Sequence, residues 1–314
     1  MPLPAQAVVR SCTSASPVAA SKLRMVFDFD GTITAQDTIS ELAESAIGWQ
    51  SRRAGQDARP AWDRAVRAYL DDYDAYMAAF QPSEPERTSI DQEKLLLAGL
   101  KSVEEASLTR VSQSGLFAGL QRHHLARMGS EAVSSGRIQV TRGFKALCDA
   151  AAAAGPGAAQ PTVLSVHWSA AFIGGALGQP GVCVIANEVS EDGHINGPSP
   201  GASRLTTSAD KARALGRILD GPERLVYFGD SATDLECLLW CRGIVVAKQE
   251  ERSPLLKTLA RLGLAVPHVG QLRHHAGKRL FWARDFQEVL ESDVLAHFQL
   301  GRAQDEDEDE DGST

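Results

Sequence analysis

The feature that most constrains this chain is a pair of aspartates directly after a short apolar strand. Residues 23–27 form a run typical of a buried β-strand, and Asp28 and Asp30 follow it before Gly31 breaks the extended pattern. Because side chains alternate along a strand, the two carboxylates are expected to face the same side. Two like charges held together are costly without a neutralising cation, and Mg²⁺ prefers oxygen ligands. The motif therefore predicts a magnesium site.

The rest of the sequence predicts an α/β fold with a Rossmann-like parallel sheet core and an inserted helical module. Strands and helices alternate over 162–247, which is typical of a parallel sheet covered on both faces. A polar loop is predicted at 50–60, and two helical segments are predicted for 253–300. Before the sheet resumes, helical periodicity recurs at 36–49, 61–80, 90–110 and 114–135.

The predicted organisation has a core, a cap and two tails. We expect the α/β core to comprise 23–48 and 139–300, and the helical cap to comprise 49–138. The N-terminal segment 1–22 is predicted to be a disordered extension, with a weak organellar transit peptide as the alternative. The segment 301–314, with its run of acidic residues, is predicted to be a disordered tail.

Polar residues occur where the predicted strands end. Ser165 follows one strand, Asp230 and Asp234 follow another, and Lys211 lies in the first turn of the helix before it. Ligands of such sheets bind at the carboxyl ends of the strands. Each residue also has a plainer interpretation, because an aspartate after a strand often serves as a turn or N-cap residue. Ser169 lies close enough to compete with Ser165 for a role in the site.

Four motifs in this order resemble the haloacid dehalogenase-like (HAD) superfamily, in particular its phosphoserine phosphatase-like members with a small helical C1 cap. The motifs are Asp28-Phe29-Asp30-Gly31-Thr32, Ser165, Lys211 and the segment from Gly229 to Asp234. The resemblance implies a Mg²⁺-dependent phosphomonoester hydrolase that acts on a small phosphorylated metabolite.

The resemblance also implies a role for each motif residue. Asp28 would be the nucleophile that forms an aspartyl-phosphate, and Asp30 would be the general acid and base. Asp28, Asp230 and the backbone carbonyl of Asp30 would hold Mg²⁺, with Asp234 as an indirect ligand. The phosphoryl oxygens would be bound by Ser165 and Lys211.

Three longer segments, 164–169, 186–188 and 227–239, resemble the HAD domain of plant thiamine monophosphate phosphatases and related fungal HAD-like proteins. This narrower resemblance implies thiamine monophosphate or a phosphoserine-like compound as the substrate. The alternative is a HAD-fold binding or scaffold protein with little catalytic activity. The complete set of carboxylates argues against that alternative, because a charge cluster is costly to keep without a function.

Several aromatic residues are candidates for the substrate pocket. Trp62, Tyr69 and Tyr73 share one face of a predicted cap helix, and His167 and Trp168 follow Ser165 directly. For each of them, packing in the protein core is the competing interpretation.

Composition narrows the partners and the compartment. The net charge is −8, but the seven acids at 305–311 carry most of it and leave −1 for the rest of the chain. This near-neutral body predicts no nucleic-acid binding, and no apolar run is long enough to span a bilayer. Five cysteines without paired spacing indicate a reducing compartment, which is the cytoplasm or, alternatively, the mitochondrion. None of these patterns specifies an oligomeric state.

Overall fold

The computed structural model describes residues 23–153, 160–218 and 225–300. The predicted extension at 1–22 and the predicted acidic tail at 301–314 lie outside the described residues.

A parallel sheet forms the centre of the molecule. The strands of the described residues are β1 Arg24–Phe27, β2 Thr162–Leu164, β3 Cys183–Ile185, β4 Glu188–Val189, β5 Ile195–Asn196, β6 Leu225–Gly229, β7 Arg242–Val246 and β8 Leu280–Ala283. Six of them form one parallel sheet in the order β3-β2-β1-β6-β7-β8, and β4 and β5 form an antiparallel hairpin. The predicted α/β fold with a parallel sheet is therefore confirmed.

Helices cover both faces of this sheet and fill the long connection between β1 and β2. None of the helices in the described ranges is both long and apolar enough to cross a membrane. The helices are α1 Ile39–Ala54, α2 Arg59–Ala79, α3 Ile90–Gly99, α4 Lys101–Gln113, α5 Arg122–Ser134, α6 Phe144–Ala153, α7 Ala170–Leu177, α8 Ser208–Ile218, α9 Leu235–Trp240, α10 Pro254–Arg261, α11 Phe286–Glu291 and α12 Val294–Leu300.

The helical insert differs from the sequence prediction in two places that share one cause. The predicted loop at 50–60 is wrong at both ends, because α1 continues to Ala54 and α2 begins at Arg59. The predicted helix at 114–135 is wrong in its first part, because α5 begins only at Arg122. Gln50 is buried and its amide donates hydrogen bonds to the carbonyl oxygens of residues 115, 116 and 118 at 2.9–3.2 Å. This one polar side chain in α1 therefore supplies hydrogen-bond donors to the backbone carbonyls of the loop before α5. Hydrophobic periodicity alone does not distinguish that loop from a helix.

The C-terminal segment contains a strand that the sequence analysis missed. The prediction of two helical segments over 253–300 is wrong, because β8 pairs with β7 and three helices flank it. The strand is only four residues long and almost wholly buried. A short apolar run of this kind carries no periodicity that separates a strand from a helix.

The central strand β1 determines where its aspartate lies. Phe27 packs on one face of the sheet against other aromatic rings, with its ring stacked 4.6 Å from that of Phe228. Val26 packs on the opposite face in a cluster that includes Leu215 of α8. Alternate side chains of a strand share a face, so Asp28 lies on the same side as Val26, toward α8.

Two glycines allow α5 of the insert to pack closely on α7 of the sheet layer. A Cβ added at Gly129 would lie 2.1 Å from the carbonyl oxygen of Phe172, and one at Gly175 would lie 1.8 Å from that of Ala126. Both distances are far below van der Waals contact with backbone atoms. Glycine is therefore required at this crossing for steric reasons.

We expect Gly175→Ala and Gly174→Ala to have opposite effects on stability. Alanine at exposed Gly174, where nothing lies within 4 Å of the new Cβ, should raise the free energy of unfolding by up to about 1 kcal/mol. Alanine at Gly175 should force the two helices apart and lower it by about 1–3 kcal/mol. Urea denaturation of the two variants measures the difference, and equal stabilities would contradict the close crossing.

Candidate active site

The first strand delivers an aspartate into a tight turn. Asp28 is 4% exposed, and its amide donates a 2.8 Å hydrogen bond to the Phe228 carbonyl of the neighbouring strand. The chain then reverses at Gly31, which has a φ of +75°. A Cβ at Gly31 would lie 2.1 Å from Oδ2 of Asp230, so this position needs glycine for its backbone conformation and for space. The turn thereby brings the ends of β1 and β6 into contact.

The loop after β6 is folded around the second aspartate of its motif. Oδ2 of Asp234 accepts hydrogen bonds from the backbone amides of Asp230 at 3.0 Å and Ser231 at 3.1 Å. This contact explains the four-residue spacing, because the later carboxylate closes the turn that presents the earlier one. Asp230 is oriented from the other strand end, where the Thr32 hydroxyl donates to its Oδ1 at 2.9 Å.

Lys211 of α8 forms ion pairs with carboxylates that follow both β1 and β6. Its side chain is fully buried, and its Nζ lies 2.8 Å from Oδ1 of Asp28 and 2.6 Å from Oδ1 of Asp234. The Tyr227 hydroxyl donates a further hydrogen bond of 2.7 Å to Oδ1 of Asp234. Burial disfavours the ammonium, but the charges of Asp234 and Asp28 outweigh it and hold the pKa of Lys211 above its ordinary value.

One lysine does not neutralise the three carboxylates around it. Asp28, Asp230 and Asp234 each offer an oxygen, and these oxygens lie within 4.8 Å of one another. Burial, followed by the charge of Asp234, raises the pKa of Asp28 to about 6 and that of Asp230 to about 8. Removing this penalty takes a cation, and an all-oxygen donor set fits Mg²⁺. Both oxygens of Asp234 already accept hydrogen bonds, so Asp28 and Asp230 are the better direct ligands.

Asp30 has a different environment from Asp28. Its Oδ1 accepts hydrogen bonds from the Thr38 amide at 2.9 Å and the Thr38 hydroxyl at 2.6 Å. Burial, followed by the charge of Asp37, raises its pKa well above the ordinary value despite these bonds. A raised pKa favours the protonated carboxyl, which is the form that acts as a general acid. The sequence analysis missed Thr38, which lies at the start of α1.

The structure separates the two serines that the sequence left in competition. Ser165 follows β2, is 1% exposed and lines the cavity above Asp28. Ser169 is the N-cap of α7, where its hydroxyl oxygen accepts from the Phe172 amide at 3.1 Å. Its hydroxyl also donates to Glu188 at 2.9 Å. Ser169 therefore begins a helix, and Ser165 is the serine that faces the site.

His167 both packs in the core and lines the cavity. Its ring is stacked on Phe172 at 5.3 Å, and Nδ1 accepts a hydrogen bond from the Ser169 amide at 3.1 Å. Burial lowers its pKa to about 3, so the ring is neutral at physiological pH. Because Nδ1 is an acceptor, the ring proton lies on Nε2.

A cavity of about 540 Å³ opens above these groups, which is a volume typical of small-molecule sites. Asp28, Asp30 and Asp230 form its floor together with Ser165. Helices α2 and α4 supply much of its wall. Tyr73 does not line it, although its ring lies 6.0 Å from that of Tyr69. The aromatic wall residues are Trp62, Tyr69 and Trp168.

Comparison with known proteins identifies relatives of this arrangement. The sequence model of the haloacid dehalogenase-like hydrolase family matches residues 25–239, which include the ends of β1, β2 and β6 and the helix that carries Lys211. A CTO1 family protein of Schizosaccharomyces pombe is 30% identical over 238 residues, which cover 68% of this chain and 77% of that protein. Cold tolerance protein 1 of Saccharomyces cerevisiae is 25% identical over 274 residues, which cover 77% of this chain and 84% of that protein.

Solved structures include a phospho-aspartyl intermediate analogue of phosphoserine phosphatase. It is 19% identical in sequence, and the match covers 86% of this chain and 98% of that chain, with a TM-score of 0.45.

Replacing Lys211 should show how the charge cluster is balanced. We expect Lys211→Met to lower the free energy of unfolding by about 3–5 kcal/mol, because it leaves buried carboxylates without their cation. Added Mg²⁺ should raise the melting temperature of this variant more than that of the wild type, since the ion enters a more negative site. Thermal melts with Mg²⁺ and with EDTA measure both effects.

Lys145→Met is the matched control, because Lys145 lies on the surface of α6 and pairs only with exposed Asp149 among the described residues. It should alter neither the stability nor the response to Mg²⁺ appreciably. An equal Mg²⁺ response in Lys211→Met and the wild type would contradict the assignment of this cluster as a cation site.

Proposed function

The chain belongs to the haloacid dehalogenase-like hydrolase family, and from this premise we propose that it is a Mg²⁺-dependent phosphomonoesterase. It acts on a small phosphorylated metabolite through an aspartyl-phosphate on Asp28. The observation that carries the proposal is the contrast between the two floor carboxylates. Asp28 contacts the Lys211 ammonium at 2.8 Å, whereas Asp30 has no cation beside it among the described residues and has a strongly raised pKa. Different environments for two carboxyl groups are typical of nucleophile and acid pairs.

Each floor residue has a task in two transfer steps. A carboxylate oxygen of Asp28 attacks phosphorus while the ester bond to the alcohol breaks, and Asp30 donates its proton to the departing oxygen. Asp30, now ionised, takes a proton from water, which attacks phosphorus and frees Asp28 and inorganic phosphate. Ser165 donates a hydrogen bond from its hydroxyl to a phosphoryl oxygen. Lys211 offsets the negative charge near Asp28 in both steps.

The cofactor in this proposal is Mg²⁺. Asp28 and Asp230 would hold it through their carboxylates, together with the carbonyl oxygen of Asp30, while Asp234 positions Asp230. The bound ion supplies positive charge that lowers the repulsion between the phosphoryl group and the floor carboxylates.

The segment 49–138 is the proposed cap, over a core of 23–48 and 139–300. Helices α2 and α4 within it bring aromatic and acidic side chains over the floor. Closing them would exclude water from the reacting groups and shape the pocket. Thiamine monophosphate and a phosphoserine-like compound, which the sequence resemblance suggests, are the first two substrates to test.

A reducing compartment, cytoplasmic or mitochondrial, also belongs to the proposal. Cys148, Cys237 and Cys241 are buried free thiols, which persist where disulfide formation is suppressed.

Asp28→Asn tests the nucleophile. It keeps the shape of the side chain and removes its nucleophilic oxygen, so phosphate release should fall by at least about 10³-fold. Release from a panel of phosphomonoesters with Mg²⁺ and with EDTA measures this. Asp149→Asn, the same change on the exposed surface of α6, should keep full activity. Substantial turnover by a folded Asp28→Asn variant would exclude the aspartyl-phosphate route. No release by the wild type from any ester would favour the alternative binding or scaffold function.

Asp30→Asn tests the acid and base role with two kinds of leaving group. Nitrophenolate departs without protonation, so this variant should release one equivalent of nitrophenol from p-nitrophenyl phosphate in a burst and then stall. An alkyl phosphate should give no burst, since its alkoxide needs the proton of Asp30. Rapid-quench measurement of both products distinguishes the cases. Equal slowing of the first turnover for both substrates would contradict the proposed role.

A further inference from the structure

The cavity wall differs chemically from the floor. Above the catalytic carboxylates the wall is mostly aromatic and aliphatic, and among its described residues none is a lysine or an arginine. Two acidic residues, Asp37 and Glu104, line the same space. The wall residues include the rings of Trp62, Tyr69 and Trp168 and alkyl side chains such as those of Val66 and Leu108. A substrate group in this cavity therefore meets mainly rings, alkyl groups and negative charge, with a few hydroxyl groups such as those of Ser107 and Thr206.

Glu104 is an acid whose charge is not balanced by the described part of the protein. It is half-buried on α4, and Oε1 accepts a 3.0 Å hydrogen bond from the Tyr69 hydroxyl. Burial raises its pKa above the ordinary value, and the bond from Tyr69 opposes the rise. No ion pair to it occurs within the described ranges. The next residue, Glu105, lies outside the cavity and pairs with Lys101 at 3.6 Å and Arg204 at 3.3 Å.

Asp37 adds a second negative charge at the mouth of the cavity. It is exposed, and its Oδ1 accepts a hydrogen bond from the Ile39 amide at 2.9 Å. Its charge contributes to the raised pKa of Asp30 on the floor and of Tyr69 on the wall. Asp37 is thus close enough to influence both parts of the cavity.

We propose that the alcohol part of the substrate carries an organic cation on an apolar body, bound between the aromatic wall and Glu104. This substrate class rests on the proposed phosphatase function. The faces of Trp62, Tyr69 and Trp168 attract a poorly hydrated ammonium group, and an adjacent carboxylate adds Coulomb attraction. The substrate is then a zwitterion, with its phosphate on the floor near Lys211 and its cation against the wall.

The same wall disfavours two other classes of phosphomonoester. An amino acid phosphate would place a carboxylate beside Glu104 and Asp37, where no described lysine or arginine receives it. A sugar phosphate would place most of its hydroxyl groups against rings and alkyl chains, and only the few polar side chains of the wall, such as Glu104 and Ser107, could hydrogen-bond to them. An organic cation avoids both costs.

The test compares phosphocholine with 3,3-dimethylbutyl phosphate, in which carbon replaces the quaternary nitrogen and the shape is kept. With saturating Mg²⁺, kcat/KM of the wild type should be at least about tenfold higher for phosphocholine, given the size of cation–π and ionic contributions. O-phosphoserine should be a poorer substrate than phosphocholine. p-Nitrophenyl phosphate, which lacks a cation, serves as the general phosphatase substrate.

Two adjacent glutamates provide the variants. Glu104→Gln removes the unpaired charge and should lower the phosphocholine preference, expressed as the ratio of the two kcat/KM values, by at least about fivefold. Glu105→Gln removes an equal charge on the same helix outside the cavity and should keep the ratio within about twofold. The two alcohols differ in acidity, but this difference affects the ratio equally in the wild type and in both variants. It therefore cancels when the ratios are compared.

The outcomes separate the two proposals. A wild-type ratio near one, or an unchanged ratio in folded Glu104→Gln, overturns the cation inference while p-nitrophenyl phosphate is still hydrolysed. Failure to release phosphate from all four esters overturns the phosphatase itself. If Glu104→Gln does not fold, Trp62→Leu replaces it, because loss of that ring should also lower the ratio by several-fold.

Discussion

The site depends on one buried cation, the ammonium of Lys211, which lies within 2.8 Å of both Asp28 and Asp234. Without it, two carboxylates from different strand ends would repel each other in a poorly solvated interior. Lys211 does not neutralise the site completely. A third carboxylate, Asp230, lies beside Asp28 and Asp234, and one lysine carries only one positive charge. The surplus negative charge limits stability and favours the binding of a cation. The close placement of these carboxylates is therefore unfavourable for stability but favourable for cation binding.

The sheet order explains how distant residues reach this point. β1 is central, with β2 on one side and β6 on the other, so the groups that follow these strands converge at one edge. Ladder pairing fixes Val26 opposite both Thr162 and Tyr227. Side chains held by such a ladder need little reorganisation to act together. Helices α2 and α4 contribute residues only to the wall, so they can differ in sequence without moving the floor.

Motif residues could be placed from the sequence, whereas their supporting partners could not. Asp28, Ser165 and Asp230 follow apolar runs, so the strand-end rule predicts their meeting. Thr38 was missed because a residue at the start of a helix ordinarily caps that helix, and only the turn at Gly31 carries Asp30 back to it. Tyr227 was missed because an aromatic residue within an apolar strand is indistinguishable from core. Its hydroxyl acquires a partner only when the following loop folds.

Glu104 shows most clearly what sequence cannot supply. It is adjacent to Glu105 on the same helix, and the sequence alone does not distinguish these two glutamates. Glu105 forms ion pairs with Lys101 and Arg204. Glu104 instead accepts a hydrogen bond from a tyrosine hydroxyl and lines the cavity. Whether a carboxylate is a surface charge or a recognition element is thus decided by which cations the tertiary fold brings to it. In the proposed function, an unpaired acid in the wall would repel anionic alcohols, so it would give selectivity through exclusion as well as attraction.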